Sequence, residues 1–148
     1  MRQGHPMNDR KILVPLDGSP LSVKTIKSLI SLKGNISAPL TLLHILDVSM
    51  ISYRGFAELT FSEIEERARV EARQFIAEQK ELFEAAGMKV ETIVKEGHVR
   101  ETICEFADSG EFDLLVIGKH TDGELRNLLF DQLATHIIRH VECPLLIV

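Results

Sequence analysis

The chain has 148 residues, enough for one domain with a two-layer or three-layer core. Hydrophobic residues make up 45% and charged residues 26% of the chain, as is ordinary for globular proteins. The net charge of -5 argues against a general nucleic-acid binder, because such proteins present a basic surface to phosphates. No apolar run reaches the roughly 18 residues of a membrane span, and residues 1–7 contain no apolar signal core. We therefore expect a cytoplasmic protein with no membrane partner and with residues 1–10 as a disordered leader.

The first part of the chain predicts two buried strands with a helix between them. Residues 11–16 are apolar without alternation, which is typical of a strand buried on both faces. Ser19 predicts the N-cap of a helix and Gly34 its C-cap. A second buried strand follows over residues 40–46.

The second part of the chain predicts three more strands and three helices. Ser62 and Glu65 have the spacing of a capping box for a long helix that ends at Gly87. Residues 89–94 alternate as a half-exposed edge strand does. The remaining elements are a helix over residues 99–107, a strand over 112–117, a helix over 125–140 and a strand over 143–148.

Five strands alternating with four helices predict an α/β fold, an open parallel sheet with helices on both faces. Ligands of such sheets bind at the carboxyl ends of the strands, where the winding direction reverses. Right-handed crossovers make strands one and four, or one and three, neighbours at that point. Asp17, Asp47 and the loop from Gly118 all follow strands, and we expect them to share one site.

The loop after the fourth strand is the main candidate for a phosphate site. Gly118 ends an apolar strand and opens a polar loop that leads to a helix, where backbone amides can cradle a phosphate. Only Gly118 and Gly123 supply glycine before that helix. The loop therefore has few of the glycines that a tight phosphate cradle needs.

An ordered set of segments then identifies a family. These are residues 11–19, residues 42–47, the pair Glu96-Gly97 with Ile103 after it, residues 113–118 and residues 143–148. Together they resemble the universal stress protein family, and the resemblance covers residues 11–148 as one domain. It implies the strand order 3-2-1-4-5 of adenine nucleotide alpha hydrolase-like folds, with flavodoxin-like winding, and a homodimer.

ATP-binding members of that family carry Gly-x-x-Gly, about nine further residues, and then Gly-Ser or Gly-Thr. Gly118 fits the first position here, but Thr121 stands at the second glycine and Asp131-Gln132 stand at the Gly-Ser pair. A carboxylate about 4 Å from a phosphate repels it by roughly 4 kcal/mol at an effective dielectric constant near 20. That energy corresponds to about three decades of affinity. We therefore expect a degenerate, weak or absent ATP site.

The same resemblance implies that the nucleoside half of the site is retained. Pro15, Leu16 and Asp17 are implied to line the adenosine side, Ile45 to face the adenine, and Ile117-Gly118 to complete the site. Asp17 can accept a hydrogen bond from ribose hydroxyls, or it can bond the amides of its own turn before Ser19, and both roles are compatible. The full predicted cofactor site is Pro15, Leu16, Asp17, Ile45, Ile117, Gly118, Lys119, His120, Thr121, Asp131, Gln132 and Leu133.

Other chemistry has less support in the sequence. His136 and His140 share a helix face, but no third metal ligand is apparent, so no metal site is predicted. His44 interrupts a buried strand and is expected to be a hydrogen-bonded core histidine. His120 with Asp122 or Asp131 has no nucleophile beside it, so no catalytic residue is predicted. The two cysteines, Cys104 and Cys143, are expected to be reduced and buried.

The resemblance implies a role in stress response, and the sequence favours a binding or regulatory module that requires no cofactor over an enzyme. The alternative is an ATP-binding member with slow hydrolysis, which cradles phosphate through Lys119, Thr121 and the amides up to Leu133. The uncharged last strand, residues 143–148, is expected at the sheet edge, where an unprotected edge invites pairing with a second copy. The expected partners are therefore that second copy and an adenine nucleotide.

Overall fold

Five parallel strands form the centre of the molecule. The structure, a computed structural model, describes residues 10–56, 58–118 and 128–148, without the side chains of Pro20 and residues 128–132. The strands are β1 (Ile12–Pro15), β2 (Leu40–Leu46), β3 (Val90–Glu96), β4 (Leu114–Ile117) and β5 (Leu145–Ile147). They pair in the order β3-β2-β1-β4-β5, which confirms the predicted fold class and strand order.

Helices cover both faces of the sheet, as predicted. They are α1 (Pro20–Ser31), α2 (Phe61–Ala85), α3 (Val99–Ala107) and α4 (Leu128–His140). One core lies between the sheet and α1 and α2, with Val14, Leu29 and Phe83 fully buried. The second core lies between the sheet and α3 and α4 and contains Leu13 and Ile137. Neighbouring β1 residues thus enter opposite cores, which explains the apolar run without alternation.

The predicted helix caps are wrong in two places. Thr60 and Glu63 form the capping box of α2, with Glu63 N donating to Thr60 Oγ1 over 3.2 Å and Thr60 N donating to Glu63 Oε2 over 2.7 Å. The predicted pair, Ser62 and Glu65, has the same spacing two residues later and lies inside the helix. Two overlapping motifs compete here, and the earlier one adds a half-turn to the helix.

Gly34 does not cap α1 as predicted. The helix ends at Ser31 with Leu32 as its C-cap, and a 3-10 turn over Lys33–Asn35 contains the glycine. Gly87 does end α2, in the left-handed region with φ of 83°.

The strand boundaries differ by a few residues from the predicted ones. β3 continues to Glu96 because it stays paired with β2 as far as Leu46. It is an edge strand, as its alternation predicted. β5 is shorter than predicted, since it pairs with β4 over only three positions, ending at Ile117 and Ile147. The predicted leader, apart from Arg10, and the predicted helix start over residues 125–127 lie outside the described residues.

None of the helices in the described ranges is long and apolar enough to cross a membrane.

Candidate functional site

A cavity of about 80 Å³ opens at the carboxyl ends of β1, β2 and β4. One buried water needs roughly 10–15 Å³ on the same measure, so the cavity has room for a small organic group. We call it the strand-end pocket. Its lining residues are Pro15, Leu16, Asp17, Leu21, Ser22, Thr25, Leu43, Ile45, Val99, Ile103, Ile117, Gly118, Leu133, Ala134 and Ile137.

The structure brings part of the predicted site together at this pocket. Seven of the twelve predicted residues line it: Pro15, Leu16, Asp17, Ile45, Ile117, Gly118 and Leu133. Lys119, His120 and Thr121 lie outside the described residues, and Asp131 and Gln132 are described only as backbone of α4. That these residues contact a ligand stays a prediction.

Helices contribute lining residues that the sequence did not predict. Ser22 and Thr25 of α1, Val99 and Ile103 of α3, and Ala134 and Ile137 of α4 complete the wall. One signal was available, since Ser22 and Thr25 are polar positions beside the apolar stripe of the first helix, and both are buried. Which helix faces the strand ends depends on the crossovers, and the local pattern does not contain that information.

Asp17 performs the predicted turn role with one carboxylate oxygen and leaves the other for a ligand. Its Oδ1 accepts hydrogen bonds from Ser19 N at 2.8 Å and from Ser22 Oγ at 2.9 Å. Its own amide donates to Ser22 Oγ over 2.8 Å. Within the described residues, Asp17 Oδ2 makes no hydrogen bond and the side chain is exposed at the pocket rim. A ligand hydroxyl can donate to this oxygen without breaking the turn.

Gly118 is required by the packing of α1 against the end of β4. A Cβ atom at this position would overlap Thr25 Oγ1 and would lie 3.0 Å from both Cγ and Cδ1 of Leu21. Thr25 cannot easily turn away, because its hydroxyl donates to the Leu21 carbonyl over 2.9 Å and its side chain is buried. The glycine therefore has a structural cause that is independent of any phosphate.

His44 is a hydrogen-bonded core histidine, as predicted. Its Nδ1 lies 2.8 Å from the carbonyl oxygen of Leu16, the residue that follows β1. Its ring packs against Phe75 of α2 with 4.8 Å between the ring centroids. It does not line the strand-end pocket, so it faces no ligand there.

Asp47 does not share the pocket with Asp17, contrary to the prediction. Its Oδ1 accepts from Ser49 N at 3.0 Å, and its Oδ2 lies 3.2 Å from His98 Nδ1. The hydrogen bond from the Ser49 hydroxyl, and then that from His98, lower the pKa of this carboxyl. Asp47 thus connects the end of β2 to the start of α3, whose first residue, Val99, lines the pocket.

The remaining candidate residues show no reactive arrangement in the described ranges. His140 Nδ1 donates to the His136 carbonyl over 2.7 Å, and the two rings stack. No group of three potential metal ligands occurs among the described residues. Cys143 is buried as predicted, but Cys104 is partly exposed. Partial burial, and then the nearby carboxylate of Asp108, raise the pKa of the Cys104 thiol, which disfavours the reactive thiolate.

Comparison with known proteins identifies the family. The profile described as the Universal stress protein family matches residues 9–148. Universal stress protein MJ0531 of Methanocaldococcus jannaschii is 30% identical over 140 residues, which cover 94% of this chain and 81% of that protein. Universal stress protein Sll1388 of Synechocystis is 29% identical over 148 residues, covering 93% and 96%.

Solved structures agree with these sequence relatives. The structure of MJ0577 is 25% identical, with a TM-score of 0.76, and the match covers 96% of each chain. UspA from Lactobacillus plantarum, at 19% identity, has the same fold with a TM-score of 0.73 over 97% of this chain and 99% of that one. From the fold, the profile match and the relatives together, this chain belongs to the universal stress protein family.

Proposed function

We propose that the protein is a homodimeric stress-response binding module whose strand-end pocket takes the nucleoside part of an adenine compound and binds ATP weakly or not at all. The observation that carries the proposal is the pocket lining. Its walls are mainly apolar, and Asp17 is the one ionisable residue among the described lining residues. Such a lining suits an uncharged ring with a hydroxyl group at the rim.

The backbone at the end of β2 supplies groups that can recognise the edge of a base. Pairing of β1 with β2 ends at Pro15 and Leu43, followed by one more bond from Leu16 N to Leu43 O of 2.8 Å. Backbone groups point to alternate edges along a strand, so the amide and carbonyl of Ile45 point to the same edge of β2 as those of Leu43. This is the edge that pairs with β1, but β1 has already ended at the level of Ile45. Adenine presents an acceptor nitrogen beside its amino donor, which complements such a pair.

The charge distribution is unfavourable for a triphosphate. Neither lysine nor arginine occurs among the described lining residues of the pocket. Residues 119–132 contain two basic residues, Lys119 and Arg126, against three acidic ones, Asp122, Glu124 and Asp131, which is a net charge of -1. The repulsion of about 4 kcal/mol from a single carboxylate near phosphate outweighs the gain from one solvated lysine, at most about 1 kcal/mol.

Two solved universal stress protein structures contain adenine monophosphates. One is a complex with cAMP, at 19% identity and a TM-score of 0.63, and the other is an Archaeoglobus fulgidus protein with dAMP, at 17% identity and a TM-score of 0.65. At these identities they support only the fold of this chain. They make adenine compounds the first ligands to test here.

The phosphate part of the proposal is tested by restoring the glycine motif. The variant Thr121→Gly with Asp131→Gly and Gln132→Ser should gain ATP affinity by at least about tenfold over the parent chain, since it removes the carboxylate and frees the backbone. Asp122→Gly is the matched control, because it removes a carboxylate from the same loop outside the motif. If the triple variant binds adenosine but gains no ATP affinity, those substitutions are not the cause of weak ATP binding.

The nucleoside part is tested at Asp17. Asp17→Asn keeps an oxygen that can accept from Ser19 N but removes the charge at the rim. A hydrogen bond to a charged acceptor contributes about 1.5–3 kcal/mol, so adenosine affinity should fall by roughly 10- to 100-fold. Equal binding of adenosine to parent and variant, measured by calorimetry, would show that Asp17 makes no ligand contact.

The homodimer rests on the β5 edge of the sheet. β5 is the outermost strand, and its Ile147 is 42% exposed. An open apolar edge is a surface for strand pairing with a second copy. Ile147→Lys should shift the protein to monomer in light scattering at micromolar concentration, whereas Val23→Lys, on an apolar residue of α1 that is 52% exposed, should not. A parent protein that is monomeric under these conditions refutes the dimer.

A further inference from the structure

At the end of β1, the carbonyl of Leu16 accepts a hydrogen bond from the side chain of His44 and not from a backbone amide of β2. The β1–β2 register ends with the bond from Leu16 N to Leu43 O. In a continued parallel ladder, the next bond would run from the Ile45 amide to the Leu16 carbonyl. Instead, His44 Nδ1 lies 2.8 Å from that carbonyl. Among the described residues, the Ile45 amide makes no hydrogen bond to Leu16.

The chemistry of the two groups fixes the direction of this hydrogen bond. A carbonyl oxygen only accepts, so His44 Nδ1 carries the proton and donates it. Leu16 is buried, with 4% of its surface exposed, and its carbonyl therefore needs a donor from the protein. Phe75 packs against the ring of the histidine, with 4.8 Å between the ring centroids, and takes no part in the hydrogen bond.

We propose that His44 is a positioning residue for the strand-end pocket. By donating to the Leu16 carbonyl it leaves the Ile45 amide unpaired and available to a ligand. It also holds the peptide between Leu16 and Asp17, and thereby the rim carboxylate. The inference rests on the proposed function for the ligand, but the pairing of the Ile45 amide is a property of the free protein.

Three substitutions at His44 separate the hydrogen bond from the ring. In His44→Asn, the amide nitrogen occupies the place of Nδ1 and can still donate to Leu16. In His44→Gln, the amide nitrogen occupies the place of Nε2 and cannot donate to Leu16. His44→Leu has no donor at all. Phe75→Leu is the control, because it removes the ring contact and keeps the hydrogen bond.

Two measurements follow each variant: the hydrogen-exchange rate of the Ile45 amide in the free protein, by NMR, and the adenosine affinity, by calorimetry. In His44→Gln and His44→Leu, the Ile45 amide should turn to the Leu16 carbonyl and exchange more slowly, by at least about tenfold. Adenosine affinity should fall about tenfold, the factor that one hydrogen bond of ordinary strength supplies. His44→Asn and Phe75→Leu should stay within about threefold of the parent in affinity, a factor well below one such bond.

The inference is overturned if Ile45 exchange is unchanged in both His44→Gln and His44→Leu, or if His44→Asn loses as much affinity as they do. Should His44→Leu fail to fold, the comparison of His44→Gln with His44→Asn decides the question. If the parent protein binds no adenine compound, the proposed function fails. The exchange rates of the Ile45 amide then still decide whether His44 withholds this group from the ladder.

Discussion

Replacing Gly118 by alanine should destabilise the protein even when no ligand is present. The added methyl group would overlap the Thr25 hydroxyl and crowd two carbon atoms of Leu21. Both neighbours are buried in α1, so relief requires the helix to shift or Thr25 to leave its rotamer and its hydrogen bond. Overpacking of this kind costs about 1–3 kcal/mol of unfolding free energy. For a chain of this size, each kcal/mol lowers the melting temperature by about 2–4 °C.

Urea unfolding of the free protein measures this cost. Gly34→Ala is the matched control, because a Cβ at this position meets no atom within 4 Å. This substitution should change the free energy of unfolding by less than about 0.5 kcal/mol. Combining Gly118→Ala with Thr25→Ala should recover part of the loss, since the overlapping hydroxyl is gone. If Gly118→Ala unfolds within about 0.5 kcal/mol of the parent, the packing explanation of this glycine is wrong.

Three further predictions concern stability. Phe83→Ala removes a fully buried ring between α2 and the sheet and should cost about 3–5 kcal/mol in urea unfolding. Thr60→Ala removes half of the capping box and should cost about 1 kcal/mol in the same assay. Hydrogen bonds from Ser49 and then His98 lower the pKa of Asp47 below its usual 3.8. The ionised carboxylate therefore adds to the free energy of unfolding above pH 3.8, and this stabilisation is lost as the pH falls through the folded-state pKa. Asp47→Asn should therefore flatten the fall of stability below about pH 4, and an unchanged pH profile would contradict this assignment.

The strands of this fold are readable from the sequence because they depend on local patterns, whereas their order was implied by the resemblance to the universal stress protein family. The bounds of β2 and of α3 agree with the predicted ranges, and the buried character of β1 follows from its run of apolar residues. The predicted capping box of α2 lies two residues after the observed one because two overlapping motifs have the same spacing.

The contacts that shape the pocket depend instead on register and crossover. The hydrogen bond between His44 and Leu16 joins residues 28 positions apart, at the point where the pairing of β1 with β2 ends. The packing reason for a glycine at position 118 could not be predicted either, since Thr25 approaches Gly118 only when α1 is packed against the sheet. The sequence places Gly118 in a phosphate motif, which stays a prediction, and the structure adds a packing requirement at the same residue.

We propose that the strand-end pocket accepts a nucleoside and rejects the triphosphate. Calorimetric titration of the purified parent protein with adenosine and with ATP, with and without Mg²⁺, measures this preference. We expect measurable adenosine binding, and ATP binding weaker than a dissociation constant of about 10 μM, near -7 kcal/mol. Stoichiometric ATP in the purified protein, or an ATP dissociation constant below that value, would contradict it.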